Sequence, residues 1–238
     1  VFLGALVLAS GCQRSEPPAP AATPDAGSAA PSEPAPTPAA AAPAEDAPPE
    51  GVLLAYVWNC DDGQTLNVRN LWRENALAID FHEGTQRLDQ VVSASGARYA
   101  NADQSIVFSS KEGSATLERK GAAPMQCSER RADSLWADAR ARGVVYRALG
   151  NEPGWTLETG PGGRVVFVTN WGQDRHVFEG ATEAPGAAGT VFTGTHGTDT
   201  LQAKITAERC VDDGGIEFDH TVVVEFGGST LRGCGRKL

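Results

Sequence analysis

Short apolar runs separated by polar turn signals fill the chain from residue 52 onwards. Between residues 52 and 127 the runs are 52–58, 66–71, 76–81, 88–92, 105–108 and 115–118, with turns such as 61–63 and 83–84 between them. A repeat of about ten residues per run with glycine at the turns is typical of an antiparallel barrel or sandwich. The pattern predicts a small antiparallel β domain, a barrel or a sandwich, over residues 51–130.

The same pattern resumes after residue 143, with runs at 144–149, 155–158, 165–169, 176–178, 201–207 and 221–226. It predicts a second small all-β domain over residues 144–238. The segment between the two domains, 131–143, is rich in alanine and carries Leu135 and Trp136. We expect it to form a short connecting helix with Asp133 or Ser134 as its cap.

One stretch of the first domain interrupts the strand pattern. Residues 93–99 read Ser-Ala-Ser-Gly-Ala-Arg-Tyr, and Ser109-Ser110-Lys111 follows about a dozen residues later. Because small residues offer little apolar bulk for a core strand, residues 93–99 are predicted to form a shaped surface loop. Loops of this kind usually contact a partner.

The first twelve residues form an apolar run that ends in small residues and Cys12. The run is too short to span a bilayer and is typical of a secretory signal. Residues 8–12, Leu-Ala-Ser-Gly-Cys, resemble the bacterial lipoprotein signal, which implies cleavage before Cys12 and lipidation of its thiol. With Gln13 rather than Asp next, the resemblance implies a Gram-negative outer membrane lipoprotein that faces the periplasm. An ordinary signal peptide with an incidental cysteine is the alternative.

Residues 13–50 hold eleven of the fifteen prolines and are otherwise mostly alanine, serine, threonine and acidic residues. Such a segment cannot bury enough apolar surface to offset chain entropy, so we expect a disordered tether. It also carries much of the acidity, because residues 1–50 contribute −5 of the net charge of −10. The predicted domains are close to neutral, which argues against nucleic acid as a partner.

The cysteines predict two disulfides. If Cys12 is lipidated, Cys60, Cys127, Cys210 and Cys234 remain, in two well-separated pairs. Cys60 with Cys127 and Cys210 with Cys234 is the natural pairing among the three that are possible. Each closed loop would stabilise its domain by about 3 to 4 kcal/mol in the chain-entropy model. Disulfides imply an oxidising compartment such as a periplasm.

No sequence motif indicates an enzyme. The chain has no nucleophile elbow, phosphate-binding loop or dinucleotide fingerprint. The four histidines, His82, His176, His196 and His220, are scattered and lie at no ligand spacing to a cysteine, so neither a metal nor another cofactor is expected. The sequence therefore favours a binding protein over a catalyst.

Several residues of the first domain together resemble a known family. Tyr56-x-x-x-Cys60-x-x-Gly63, the 93–99 stretch, Phe108-x-x-Lys111 and Cys127 look like the membrane-bound lysozyme inhibitor of c-type lysozyme (MliC) family. The resemblance implies a lipid-anchored envelope protein with a disulfide-closed β-barrel and c-type lysozyme as partner. One departure is that Glu112 stands between Lys111 and Gly113, where the family has glycine directly after the lysine.

The resemblance implies that Ser95, Gly96, Arg98, Tyr99 and Lys111 bind lysozyme. A retaining glycosidase uses two carboxyl groups about 5 Å apart, one protonated and one ionised. A hydroxyl from Ser95 and a cation from Lys111 suit that pair, and Gly96 allows the backbone to enter a narrow cleft. The structural alternative is a turn serine, a core-edge tyrosine and a solvated strand lysine.

The second domain resembles an uncharacterised bacterial envelope domain, through Gly150-Asn151-Glu152-Pro153-x-Trp155 and the Cys210 and Cys234 positions. The resemblance implies an all-β fold and leaves its role open among spacer, peptidoglycan-binding module and second inhibitory head. Glu152 and Trp155 could contact a glycan, although a tight turn with Trp155 buried is the favoured interpretation. A structural or glycan-binding lipoprotein without inhibition remains the alternative function for the whole chain.

Overall fold

The structure is a computed structural model, and it describes residues 48–49, 51–187 and 189–238. The predicted signal segment 1–12, the predicted lipidation at Cys12 and nearly all of the predicted tether 13–50 lie outside these residues. The described part consists of two large antiparallel sheets, a two-stranded hairpin and one α-helix, so the predicted all-β class is confirmed. No helix among the described residues is both long and apolar enough to cross a bilayer.

The first sheet is a closed barrel of eight antiparallel strands that follow one another in sequence order. Its strands are β1 (Ala55–Cys60), β2 (Thr65–Leu71), β3 (Ala76–Phe81), β4 (Gly84–Val91), β5 (Ala97–Ala100), β6 (Ile106–Lys111), β7 (Ser114–Arg119) and β8 (Met125–Glu129). Pairing of β1 with β8 closes the barrel, and there Cys60 lies opposite Cys127. The predicted disulfide joins these two residues, with their Cα atoms 3.9 Å apart.

Alternating side chains of the strands fill the barrel interior. Along β2, for example, Leu66 and Val68 are buried while the residues on either side are exposed. Buried and exposed residues alternate in this way when one face of a strand packs against the core and the other faces solvent. The ring of Trp58 packs edge-on against Phe108, with 5.5 Å between the ring centroids, at the centre of the core.

The predicted loop 93–99 is too long. Residues 97–99 belong to β5, where Tyr99 pairs with Gln90 on one side and Phe108 on the other. Backbone pairing on both sides, together with the packing of Tyr99 against the core, outweighs the weak strand preference of the small residues. The connection between β4 and β5 is therefore residues 92–96, called the β4–β5 loop below.

A single α-helix, α1 (Arg131–Ala141), follows the barrel, but its predicted cap is wrong. The N-cap residue is Arg130, without a side-chain capping bond. Ser134 is fully buried instead, and its Oγ accepts a hydrogen bond from the amide of Val57 at 2.9 Å. Asp138 Oδ1 accepts another from the amide of Leu54 at 2.7 Å. Strand β8 pairs with β1 only from Trp58 onwards. The amides of Leu54 and Val57 therefore have no partner in β8, and side chains of α1 accept their hydrogen bonds instead.

The second sheet has nine antiparallel strands in the order β12-β11-β10-β9-β19-β18-β15-β14-β13. The strands are β9 (Tyr146–Asn151), β10 (Gly154–Gly160), β11 (Arg164–Thr169), β12 (Asp174–Phe178), β13 (Thr182–Gly186), β14 (Gly189–His196), β15 (Asp199–Thr206), β18 (His220–Phe226) and β19 (Ser229–Lys237). The sheet curls until His196 Nδ1 of β14 lies 3.0 Å from the carbonyl oxygen of Val177 in β12.

A small hairpin of β16 (Cys210–Val211) and β17 (Glu217–Phe218) lies outside the large sheet. The second predicted disulfide joins Cys210 to Cys234 of β19, with the Cα atoms 5.4 Å apart. Both predicted pairings are therefore confirmed.

A buried ionic network attaches α1 to the second sheet. Arg142 donates two hydrogen bonds to Glu158 of β10, at 2.8 and 2.9 Å, and a third to Asp138 of α1 at 2.8 Å. Arg147 of β9 pairs with the same Glu158. Burial alone would raise the pKa of Glu158, but its contacts with the two arginines outweigh burial and lower it. Glu158 is therefore held as a carboxylate.

Candidate functional site

The β4–β5 loop stands out from the barrel. Val92 is 96% exposed, the most exposed of the large apolar side chains in the described residues. The Oγ of Ser93 donates a hydrogen bond of 2.7 Å to the carbonyl oxygen of Ser95, which tightens the loop from within. This bond uses the backbone of Ser95 and leaves its hydroxyl for another partner.

Gly96 brings the loop into contact with β6. Its φ is +68°, and a Cβ atom built there would lie 2.4 Å from the carbonyl oxygen of Ser110 and 3.0 Å from Cβ of Lys111. No other residue type satisfies both the left-handed backbone and this close approach. Gly96 therefore places its neighbour Ser95 and the base of Lys111 at the same edge of the barrel.

Lys111 is the last residue of β6, and Glu112-Gly113 turns the chain into β7. Both turn residues have positive φ, +51° for Glu112 and +79° for Gly113. That combination defines a type I′ hairpin turn, which favours glycine, asparagine or aspartate at its first position. The extra residue relative to the family pattern thus forms a two-residue turn and puts a carboxylate next to Lys111.

The two side chains that the sequence places at the centre of the site have no internal partners. Ser95 and Lys111 are both exposed, and within the described ranges neither the hydroxyl nor the ammonium forms a hydrogen bond or salt bridge. The Ser95 hydroxyl and the Lys111 ammonium therefore have no internal contact to break. Such groups can bind an external carboxyl pair without losing a contact first.

A cavity of about 490 Å³ opens beside the loop and β6. Gly96, Tyr99, Lys111 and Glu112 line it together with the more deeply placed Trp58. Trp58 is 5% exposed, and its indole Nε1 has no hydrogen-bond partner among the residues described. The cavity thus combines an apolar base with a charged edge.

Tyr99 and Arg98 lie on opposite faces of β5. Tyr99 is half-buried and lines the cavity; burial first, and the phenol of Tyr56 second, raise its pKa. The Tyr99 hydroxyl therefore stays protonated near neutral pH and can donate a hydrogen bond. Arg98 is not among the residues that line the cavity, because successive strand side chains alternate between faces. The cavity brings Gly96, Tyr99 and Lys111 together, whereas Ser95, the neighbour of Gly96 in the chain, and Arg98 are not among its lining residues.

Sequence reasoning missed several residues of this edge. Asn70 of β2 and Glu129 of β8 line the cavity, and Val92 begins the loop. Only the exposed apolar Val92 had a local signal, as an apolar residue followed directly by turn residues. The others are distant in sequence, so barrel closure alone brings them to the cavity.

One of the two residues suggested as a glycan contact in the second domain, Trp155, is not accessible in the structure. Trp155 is 3% exposed and packs against Phe167 in the core, so its ring offers no face for a sugar. The favoured interpretation, a turn with Trp155 buried, is the correct one. In the part of the chain that the structure covers, no group of three or more His, Cys, Asp or Glu side chains could hold a metal ion.

A protein-family model matches most of the barrel. Residues 58–126 match the family described as membrane-bound lysozyme-inhibitor of c-type lysozyme. The match runs from Trp58 in β1 to Gln126 in β8, so it covers nearly the whole barrel and less than a third of the chain. The resemblance found from sequence motifs is therefore confirmed for this domain. No curated protein and no solved structure matches the chain.

Proposed function

Because residues 58–126 match the MliC family, we propose that the barrel inhibits c-type lysozyme by inserting the β4–β5 loop and Lys111 into the catalytic cleft. Ser95 would donate a hydrogen bond to one catalytic carboxyl group, and Lys111 would pair with the other. Gly96 supplies the thin backbone that a sugar-binding cleft admits. Tyr99 would add a hydrogen bond at the cleft wall, with Arg98 outside it.

The chemistry follows from the target. The two carboxyl groups of a retaining glycosidase lie about 5 Å apart and differ in protonation. When a cation and a hydroxyl displace water from this pair, charge-assisted hydrogen bonds form in a desolvated site. Truncating one partner of such a contact typically costs about 2 to 5 kcal/mol. The inhibitor is expected to block substrate entry without chemical change to itself or the enzyme.

The observation that supports the proposal most directly is the contact of Gly96 with Ser110 and Lys111. It couples the loop to β6 through backbone atoms rather than flexible side chains. A loop backbone that is fixed against β6 loses less conformational entropy on binding than a free loop would.

The proposal also covers attachment to the envelope and the division of the chain. Lipidation at Cys12 would hold the protein on the periplasmic face of the outer membrane, and residues 13–50 would act as the tether. The inhibitory domain would span residues 51–130, with 131–143 as the connection and 144–238 as a separate all-β domain. Two anchoring signals or several acyl chains are needed for stable membrane attachment.

The test is an inhibition constant measured on the soluble chain that begins after Cys12. Ser95→Ala and Lys111→Ala together should weaken inhibition of a c-type lysozyme about tenfold or more while the melting temperature stays unchanged. Lys120→Ala is the matched control, because Lys120 is an exposed lysine at the other end of β7. An unchanged constant in the double variant would refute the site, and a chain that never inhibits lysozyme would refute the function.

A further inference from the structure

Trp171 alone among the aromatic residues that the structure describes is exposed, with 72% of its surface accessible. It lies between β11 and β12, where the amide of Gln173 donates a hydrogen bond of 3.2 Å to the carbonyl oxygen of Asn170. Trp171 and Gly172, the central residues of this turn, have φ of +56° and +98°. Such a type I′ turn favours glycine, asparagine or aspartate, so a tryptophan is unfavourable there. Residues held in unfavourable backbone conformations concentrate at functional sites.

The backbone of Gly154 supports one face of the Trp171 indole. A Cβ atom built on Gly154 would lie 2.5, 2.6 and 2.9 Å from Cε3, Cδ2 and Cζ3 of Trp171. At such short range, three consecutive ring atoms are nearly equidistant only from a point above the ring, so the indole turns a face toward the glycine. Because most of the side chain remains accessible, the opposite face is open to solvent.

Two polar side chains lie beside the ring. Gly154 pairs with Asn151 across the β9–β10 hairpin. Directly paired residues of antiparallel strands share one face of the sheet, so the Asn151 side chain is on the same face as the indole. Its amide donates a hydrogen bond of 3.0 Å to Oδ2 of Asp213. The carbonyl oxygen of Asn151 and the carboxylate of Asp213 remain as acceptors for hydroxyl groups of a ligand.

A cavity of about 450 Å³ adjoins Asn151, with walls from β9, β19 and the β16–β17 hairpin. Its charged lining residues are the three acids Glu152, Asp212 and Asp213 and a single basic residue, Arg232. An excess of carboxylates repels an anionic ligand. A neutral ligand rich in hydroxyl groups instead finds hydrogen-bond acceptors along this wall.

We propose that this surface binds a neutral saccharide. The faces of a glucose-configured pyranose carry axial C–H groups, and one of them stacks on the open face of Trp171. Hydroxyl groups at the edge of the sugar donate hydrogen bonds to Asn151 and Asp213, and further sugar units extend into the adjoining cavity. Trp171 thus takes the stacking role that the sequence suggested for Trp155. The activity is separate from lysozyme inhibition, because every residue involved lies outside the barrel.

Isothermal titration of the soluble chain that begins after Cys12 tests the proposal, with chitotetraose and cellotetraose as probes. We expect saturable binding of at least one of these neutral β-1,4-linked tetrasaccharides, with a Kd on the order of 1 mM or tighter. Trp171→Gly should weaken binding about tenfold or more, because the stacking surface is lost. It should not lower the melting temperature, since glycine relaxes the φ of +56°.

Gln104→Gly is the matched control, because Gln104 is an exposed barrel residue with φ +52°. It gives the same backbone relief without loss of a ring, so saccharide binding should stay unchanged. Gly154→Ala should weaken binding about threefold or more, because the new methyl group would displace the indole. Asp213→Asn should weaken it by a similar factor, since a charged acceptor is lost.

Absence of saturable binding of both tetrasaccharides would overturn the proposal. Unaltered binding in Trp171→Gly and Gly154→Ala, with the far-UV circular dichroism of the folded chain retained, would overturn the location of the site. A β-1,4-linked tetraglucuronate that binds as tightly as the neutral probes would overturn the preference for an uncharged ligand. Lysozyme inhibition measured on the same variants should not change.

Discussion

Gly96 and Lys111 meet across the edge of the barrel, where a Cβ atom on Gly96 would approach Cβ of Lys111 to 3.0 Å. The contact joins a loop that projects from the barrel to the last residue of β6. Because the loop has no other strand pairing, this contact fixes the position of Ser95. The proposed inhibitory surface thus depends on Gly96 for its geometry as well as for its thin backbone.

Replacing Gly96 with alanine tests whether the close contact with Ser110 adds to the cost of the left-handed backbone. Gly96→Ala should lower stability by more than the roughly 1 to 2 kcal/mol of a left-handed alanine, since Ser110 must also move, and should weaken lysozyme inhibition. Gly121→Ala is the control, because Gly121 has φ +85° with nothing within 4 Å of a built Cβ. Denaturant unfolding and the inhibition constant measure the two effects. Equal losses of stability at both positions would contradict the contact.

The charge of Glu112 provides a second prediction. If Lys111 pairs with a lysozyme carboxylate, the neighbouring carboxylate of Glu112 opposes the approach. Glu112→Gln should therefore tighten inhibition by about twofold to fivefold, with the gain shrinking at high salt. Glu118→Gln, an exposed substitution on β7, should have little effect. Weaker inhibition by Glu112→Gln would mean that Glu112 itself contacts the enzyme.

The backbone of Glu112 provides a third prediction, this time on stability. A non-glycine residue at φ +51° in a two-residue turn is unfavourable, so Glu112→Gly should raise the free energy of unfolding by about 1 kcal/mol. The same change in a strand, Glu118→Gly, should lower it by about 0.5 to 1 kcal/mol. Chemical denaturation of the two variants gives the comparison, and a loss at both positions would argue against a strained turn.

The network at Glu158 predicts a pH dependence. The pKa of Glu158 is lowered in the folded state, so its ionisation stabilises the protein above the ordinary carboxyl pKa and ceases to do so as the pH falls through the folded value. Glu158→Gln should cost about 3 kcal/mol at pH 7 and progressively less below about pH 4. Glu179→Gln breaks the exposed pair with Arg164 and should cost under about 1 kcal/mol.

Stability curves of these variants from pH 7 to pH 3 supply the measurement. A cost of Glu158→Gln that stays constant over this range would show that packing, rather than the ionised carboxylate, is lost. Retained far-UV circular dichroism at each pH controls for unfolding.

The sequence predicted the barrel well where an apolar run is bounded by turn signals. The run 76–81 matches β3 (Ala76–Phe81) residue for residue, because its apolar residues are bounded by turn signals. The strands β5 and β8 were missed, since Ala97–Ala100 is poor in β-branched residues and Met125–Glu129 is short and polar. Both exist because neighbouring strands supply their hydrogen bonds, which is tertiary information.

The candidate site was predictable only in part. Ser95, Gly96 and Lys111 were identified through motif resemblance, and barrel registration brings them to one edge. Trp58 and Glu129 had no such signal, because they reach the cavity from β1 and β8 only after the barrel closes. The capping residue of α1 was also mispredicted, since Ser134 bonds to Val57, a residue 77 positions earlier in the chain.

The helix α1 has a practical consequence for dissecting the molecule. A fragment that ends at residue 130 would lack α1. The amide of Leu54 would then lose its acceptor Asp138, and the amide of Val57 would lose its acceptor Ser134. A cut after residue 142 would keep those acceptors but sever the guanidinium of Arg142 from Glu158. A fragment of the barrel should therefore extend to residue 142, which keeps the acceptors of α1 and gives up only the contacts between Arg142 and Glu158.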